Sequence, residues 1–155
     1  MTTRREVLKR SATVASLLMT VGLLPSVARA QAAGYNAAAF ETKTLADLMK
    51  SLGGSAPVES KDVSVTGPDI AENGAVVPLG AATTLPGAKR LLILVEKNPS
   101  IMTSMFELSD AVEASVNTRV KMGQSSNVYA VAMMGDGRVL FAQKEVKVTL
   151  GGCGG

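Results

Sequence analysis

Residues 127–150 read NVYAVAMMGDGRVLFAQKEVKVTL, and the fold is decided by how this stretch is read. Two valine-rich runs, Asn127–Met134 and Arg138–Leu150, flank Gly135-Asp136-Gly137. Glycine tolerates positive φ, so this triplet between two extended runs reads as the tight loop of a β-hairpin. Working outward toward the N-terminus, similar runs recur at Asp62–Thr66, Ala75–Leu79, Arg90–Glu96, Ser104–Leu108 and Ser115–Met122. Gly67-Pro68, Asn73-Gly74, Pro86-Gly87 and Asn98-Pro99 mark turns between them. About seven short strands with no intervening helix predict a mainly β chain. The expected architecture is an immunoglobulin-like antiparallel β-sandwich. The cysteine–tryptophan signature of true immunoglobulin domains is missing, because the chain has one cysteine and no tryptophan. Leu91-Leu92-Ile93-Leu94-Val95 is continuously apolar, as suits a central strand buried on both faces. One of those faces stays open to a second reading, as a partner-binding surface.

Upstream of the strands the spacing becomes helical. Gly34 to about Ser51 predicts one helix, with Phe40, Leu45, Leu48, Met49 and Leu52 sharing a face that docks on the rest of the domain. Gly53-Gly54 stops it. Residues 31–54 thus form an N-terminal helical segment and residues 55–150 the sandwich. Residues 1–30 read as an export signal. They carry Arg4-Arg5, an apolar stretch from about Ser11 to Leu24, and the small-x-small cleavage pattern Ala28-Arg29-Ala30. The apolar stretch is shorter than the roughly 18 residues of a membrane span, and the paired arginines point to the twin-arginine route. The signal holds Arg4, Arg5, Lys9, Arg10 and Arg29 against Glu6, so the chain's net charge of +3 belongs to it. What remains carries no argument for nucleic-acid binding, which needs a basic patch in the folded domain.

The chain contains no histidine. That excludes a Ser-His-Asp triad and a Cys-His pair, and leaves few ligands for zinc. Neither a G-x-x-x-x-G-K-[ST] phosphate loop nor a G-x-G-x-x-G fingerprint occurs. Asp69 and Glu72 are acids near turns, read as solvated rather than as a catalytic pair or a calcium site. No metal and no cofactor is called for.

Cys153 is left, in Gly151-Gly152-Cys153-Gly154-Gly155. Glycine has no Cβ, so the expectation is a thin, flexible arm able to enter a narrow channel. Three residues at about 3.3 Å each place the thiol up to roughly 10 Å beyond the last strand. No cation adjoins the sulfur in sequence. A thiol with pKa near 8.5 is only about 3% ionised at pH 7. Cys153 therefore reads as an attachment point, not as a catalyst in its own right. Two roles stay open on the residues alone. One is a covalent carrier whose chemistry comes from other active sites. The other is a periplasmic binding module tethered to a partner by an intermolecular disulfide. A disulfide homodimer through Cys153 fits either. A ubiquitin-like donor is disfavoured by the export signal and the interposed cysteine, and a thiol oxidoreductase by the lack of C-x-x-C.

An export signal, a helix ending in Gly-Gly, a β-rich domain and the stretch Gly151–Gly155 together resemble the SoxY family. Members of that family are sulfur-carrier subunits of the periplasmic thiosulfate-oxidising Sox system. The resemblance implies an immunoglobulin-like fold and a heterodimer with a second β-sandwich subunit, SoxZ. It makes Cys153 the site where the SoxXA cytochrome joins thiosulfate to the protein. The hydrolase SoxB would then release sulfate, and the SoxCD dehydrogenase would oxidise the remaining sulfur. It also suggests that the twin-arginine signal exports a signal-less partner bound to the folded carrier.

Overall fold

The computed structural model describes Glu6 and residues 36–149. The signal arginines Arg4 and Arg5 and the arm residues Gly151, Gly152, Cys153, Gly154 and Gly155 lie outside the described residues. Two short helices come first, α1 (Ala37–Glu41) and α2 (Leu45–Ser51). The strands follow as β1 (Val58–Glu59), β2 (Val63–Thr66), β3 (Ile70–Ala71), β4 (Val77–Thr83), β5 (Ala88–Val95), β6 (Met102–Glu107), β7 (Ser115–Val120), β8 (Ser126–Met134) and β9 (Val139–Val148). Helices and strands belong to one compact unit that begins at Ala37.

The hairpin read from Gly135-Asp136-Gly137 joins β8 to β9, with Met133 opposite Val139 and Ser126 opposite Val146. The Met134 amide donates to the Arg138 carbonyl at 2.9 Å, and Gly137 takes φ +89°. Asp136 braces the loop, accepting the Arg138 amide at 3.0 Å and the Arg138 Nε at 2.7 Å. These donors hold the Asp136 carboxyl below its ordinary value.

Two sheets stack. One has the order β1-β9-β8-β5-β6, with β3 also pairing to β9; the other is β2-β4-β7. In immunoglobulin lettering the body is A-B-E facing G-F-C-C′, so the sandwich class and all seven strands expected from the sequence are present. β1 and β3 are additions, and both run parallel to β9. Each is two residues long, too short to leave a two-residue period in the sequence.

The inward faces bury Leu91, Ile93 and Val95 of β5 with Val128, Ala130 and Ala132 of β8 against Val63, Val77, Leu79 and Ala81 of the small sheet. The outward face of β5 is also closed. Leu92 and Leu94, both 0% exposed, pack with Val131 and Met133 beneath Ala39, Leu48 and Met49 of the helices, together with Ile101 and Met102. The reading of this strand's second face as a partner surface is thereby corrected, because the chain's own helices occupy it.

The single helix expected over Gly34–Ser51 is likewise corrected. Thr42 Oγ1 donates to the Ala39 carbonyl at 2.7 Å, and Thr44 Oγ1 accepts the Asp47 amide at 3.1 Å. Threonine hydroxyls that bond locally compete with helix continuation and cap a new start. The break resets the helical phase, so Ala39 is buried while Phe40 is 43% exposed. The stop at Gly53-Gly54 is present. Gly53 has φ +75°, and the Gly53 and Gly54 amides reach back to Lys50 and Met49 carbonyls at 3.2 and 2.8 Å. That is the paired closure of a Schellman end.

Candidate functional site

The described chain stops at Thr149, four residues before Cys153. The local structure around the end of β9 is therefore the root of the predicted arm. On one side β3 grips it. Ile70 pairs with Lys147 and Ala71 with Val148. The Lys147 amide donates to the Asp69 carbonyl at 3.0 Å, and the Thr149 amide to the Ala71 carbonyl at 3.1 Å. On the other side the Val148 amide donates to Ser125 Oγ at 2.9 Å. Three successive amides are thus satisfied by two different segments, and the strand is anchored through Thr149.

β3 needs its own support, since two residues of strand pairing are marginal alone. Lys144 provides it from within β9. Its Nζ donates to the Gly67 carbonyl at 2.6 Å and pairs with Asp69 Oδ1 at 2.8 Å. Lys144 holds the Asp69 carboxyl below its ordinary value, first through the hydrogen bond and then through its charge. Asp69 is 90% exposed, so the pair sets geometry more than stability. The loop after β3 closes the grip, because Gly74 packs its backbone against Val148 Cγ1 and the Met122 carbonyl.

Of the acids weighed in the sequence, Asp69 is engaged by Lys144 and Glu72 is exposed beside β3. Among the described residues no group of three or more His, Cys, Asp or Glu side chains could hold a metal ion. No helix among them is long and apolar enough to cross a membrane. No sequence motif marks Ser125 or Lys144. Their partners are far along the chain, with Lys144 and Gly67 77 residues apart, so no local pattern marks them.

The fold and the site define a class: an immunoglobulin-like sandwich whose last strand is clamped at its end and leads into a short segment with the chain's one cysteine. Comparison with known proteins agrees. The family model for sulfur oxidation protein SoxY matches residues 48–153, a span that includes Gly151, Gly152 and Cys153. This chain belongs to the SoxY family. The sulfur carrier protein SoxY of Chlorobium limicola f thiosulfatophilum is 34% identical, with a TM-score of 0.60. That match covers 66% of this chain and 93% of the Chlorobium one. A superoxide reductase (neelaredoxin) variant from Ignicoccus hospitalis matches with a TM-score of 0.51 at 15% identity, covering 56% of this chain and 79% of its own. At that identity the likeness speaks for the sandwich fold alone. No curated protein gives a significant match.

Proposed function

We propose that this protein is a sulfur carrier. Cys153 holds thiosulfate-derived sulfur covalently and presents it to partner enzymes in the periplasm. One observation carries the reading: the SoxY match runs through residue 153, so it takes in the chain's single cysteine. The Chlorobium relative, itself a sulfur carrier protein, supports the same role.

The chemistry asks little of the chain beyond a thiol and its placement. Loading is oxidative. The Cys153 thiol and thiosulfate form an S–S bond, giving an S-thiosulfonate, a proton and two electrons. The acceptor is a c-type cytochrome of the SoxXA kind. Hydrolysis of the terminal S–S bond then releases sulfate and leaves a persulfide on Cys153, the step assigned to a SoxB-like hydrolase. A SoxCD-like dehydrogenase would oxidise that sulfur. The chain acts as the substrate of these enzymes and not as a catalyst. A SoxZ-like β-sandwich subunit is the proposed stable partner. Export would follow the Arg4-Arg5 signal.

Cys153→Ser is expected to abolish sulfur loading without loss of fold. Intact-mass spectrometry during thiosulfate turnover checks this, with added mass on the wild-type protein and none on the variant. A wild-type Cys153 that gains no sulfur adduct, with a partner released by reductant, would overturn the carrier role in favour of a disulfide tether.

A further inference from the structure

We propose that Ile70 and Val76, the exposed apolar side chains beside the arm root, form the docking surface for the cytochrome that loads sulfur onto Cys153. The inference rests on the carrier reading and adds where the receiving protein must sit. The amides of Lys147, Val148 and Thr149 are all held, by β3 and by Ser125, so the chain is anchored through Thr149. Cys153 lies four residues further on. At about 3.3–3.6 Å per residue the chain between them spans at most about 14 Å. A protein that draws the thiol into a recessed site must bring its own surface to within that distance of Thr149. It therefore covers whatever surrounds the root.

Two large apolar side chains stand there in solvent. Ile70, the register partner of Lys147, is 57% exposed, while its neighbour Ala71 is buried in the core. Val76 is 51% exposed and lies two residues beyond Gly74, whose backbone packs on Val148. Ile70 turns outward from the core, so the fold places no demand for an apolar residue there. Both side chains are β-branched and stiff at χ1, and both sit on segments pinned to the end of β9. Little conformational freedom remains to be lost when a partner covers them. The occupant is thus an enzyme surface with an apolar rim around the opening that admits the arm. Val112, similarly exposed at 55%, lies in the loop between β6 and β7 at the opposite end of the sandwich, beyond reach of the arm.

The test compares full-length carriers bearing Ile70→Ser, Val76→Ser, both changes, or Val112→Ser, assayed for sulfur loading by the thiosulfate-dependent cytochrome. Each change at the root should raise the KM for carrier about tenfold, the equivalent of one buried aliphatic contact, with kcat retained. Val112→Ser should leave KM unchanged. The conservative variants Ile70→Val and Val76→Ile should keep the wild-type KM. Alkylation of Cys153 by iodoacetamide should proceed at one rate in all of them, since a small reagent needs no docking. A wild-type KM in the double variant, or an equal rise from Val112→Ser, would overturn the docking surface and leave the carrier role standing. A wild-type protein that takes up no sulfur would overturn both.

Discussion

A Cβ placed on Gly74 would run into the Met122 carbonyl oxygen and sit 2.8 Å from Val148 Cγ1. That carbonyl is backbone and cannot swing aside, and the Gly74 carbonyl in turn accepts the Met122 amide at 2.7 Å. Gly123 is the contrast. Nothing lies within 4 Å of its would-be Cβ, and its φ is not left-handed. Gly74→Ala should therefore cost about 1–3 kcal/mol through overpacking, while Gly123→Ala should stay within about 0.5 kcal/mol. Urea midpoints of the two variants check the difference. Asn73-Gly74 was legible as a turn, and the turn exists, with the Ala75 amide bonded to Asn73 Oδ1 at 2.9 Å. The reason for glycine was not legible. It is close approach of the Met122 carbonyl and of Val148 on the arm-root strand, and not a positive φ, which among the described residues belongs to Gly53, Gly87 and Gly137.

At the scale of elements, α2 does the work expected of a longer helix. Leu48 and Met49 are fully buried on the outer face of the large sheet, over Leu92 and Leu94. The apolar positions were visible in the sequence as a stripe. The break at Thr42–Thr44 was not, because it follows from competing hydroxyl hydrogen bonds rather than from apolar spacing. The apolar stripe consequently puts Phe40 on the docking face, whereas the structure leaves it exposed. Leu48→Ala should destabilise by about 2–5 kcal/mol, the usual range for emptying a fully buried leucine site. The same truncation at half-buried Leu45 should cost clearly less. Chemical unfolding followed by circular dichroism separates the two. Equal losses would mean that full burial of Leu48 contributes no more than the half-buried packing of Leu45.

For the whole molecule, the proposed route to the periplasm makes a prediction about two proteins at once. Twin-arginine export carries folded cargo, and the sandwich has a closed core on both faces of its large sheet. On that proposed route, a folded carrier would take the proposed signal-less β-sandwich partner with it. Replacing Arg4-Arg5 with Lys-Lys should then hold both subunits in the cytoplasm. Cell fractionation with antibodies to each subunit checks this. A partner that still reaches the periplasm would show that it travels independently.

What the sequence determined by itself is what short-range chemistry encodes. Glycine, proline and asparagine pairs with the Gly-Asp-Gly triplet set the turns, and apolar and β-branched runs set seven strands. Gly-Gly-Cys-Gly-Gly singles out one thiol. The tertiary structure alone decided how that thiol's segment is rooted. Thr149 meets Ala71 across 78 residues of sequence, and Lys144 meets Gly67 across 77. Val148 meets Ser125 across 23. A two-residue strand such as Ile70–Ala71 has no period of its own. It becomes a strand because β9 offers it amides and carbonyls to pair with, and Lys144 holds the preceding turn in place.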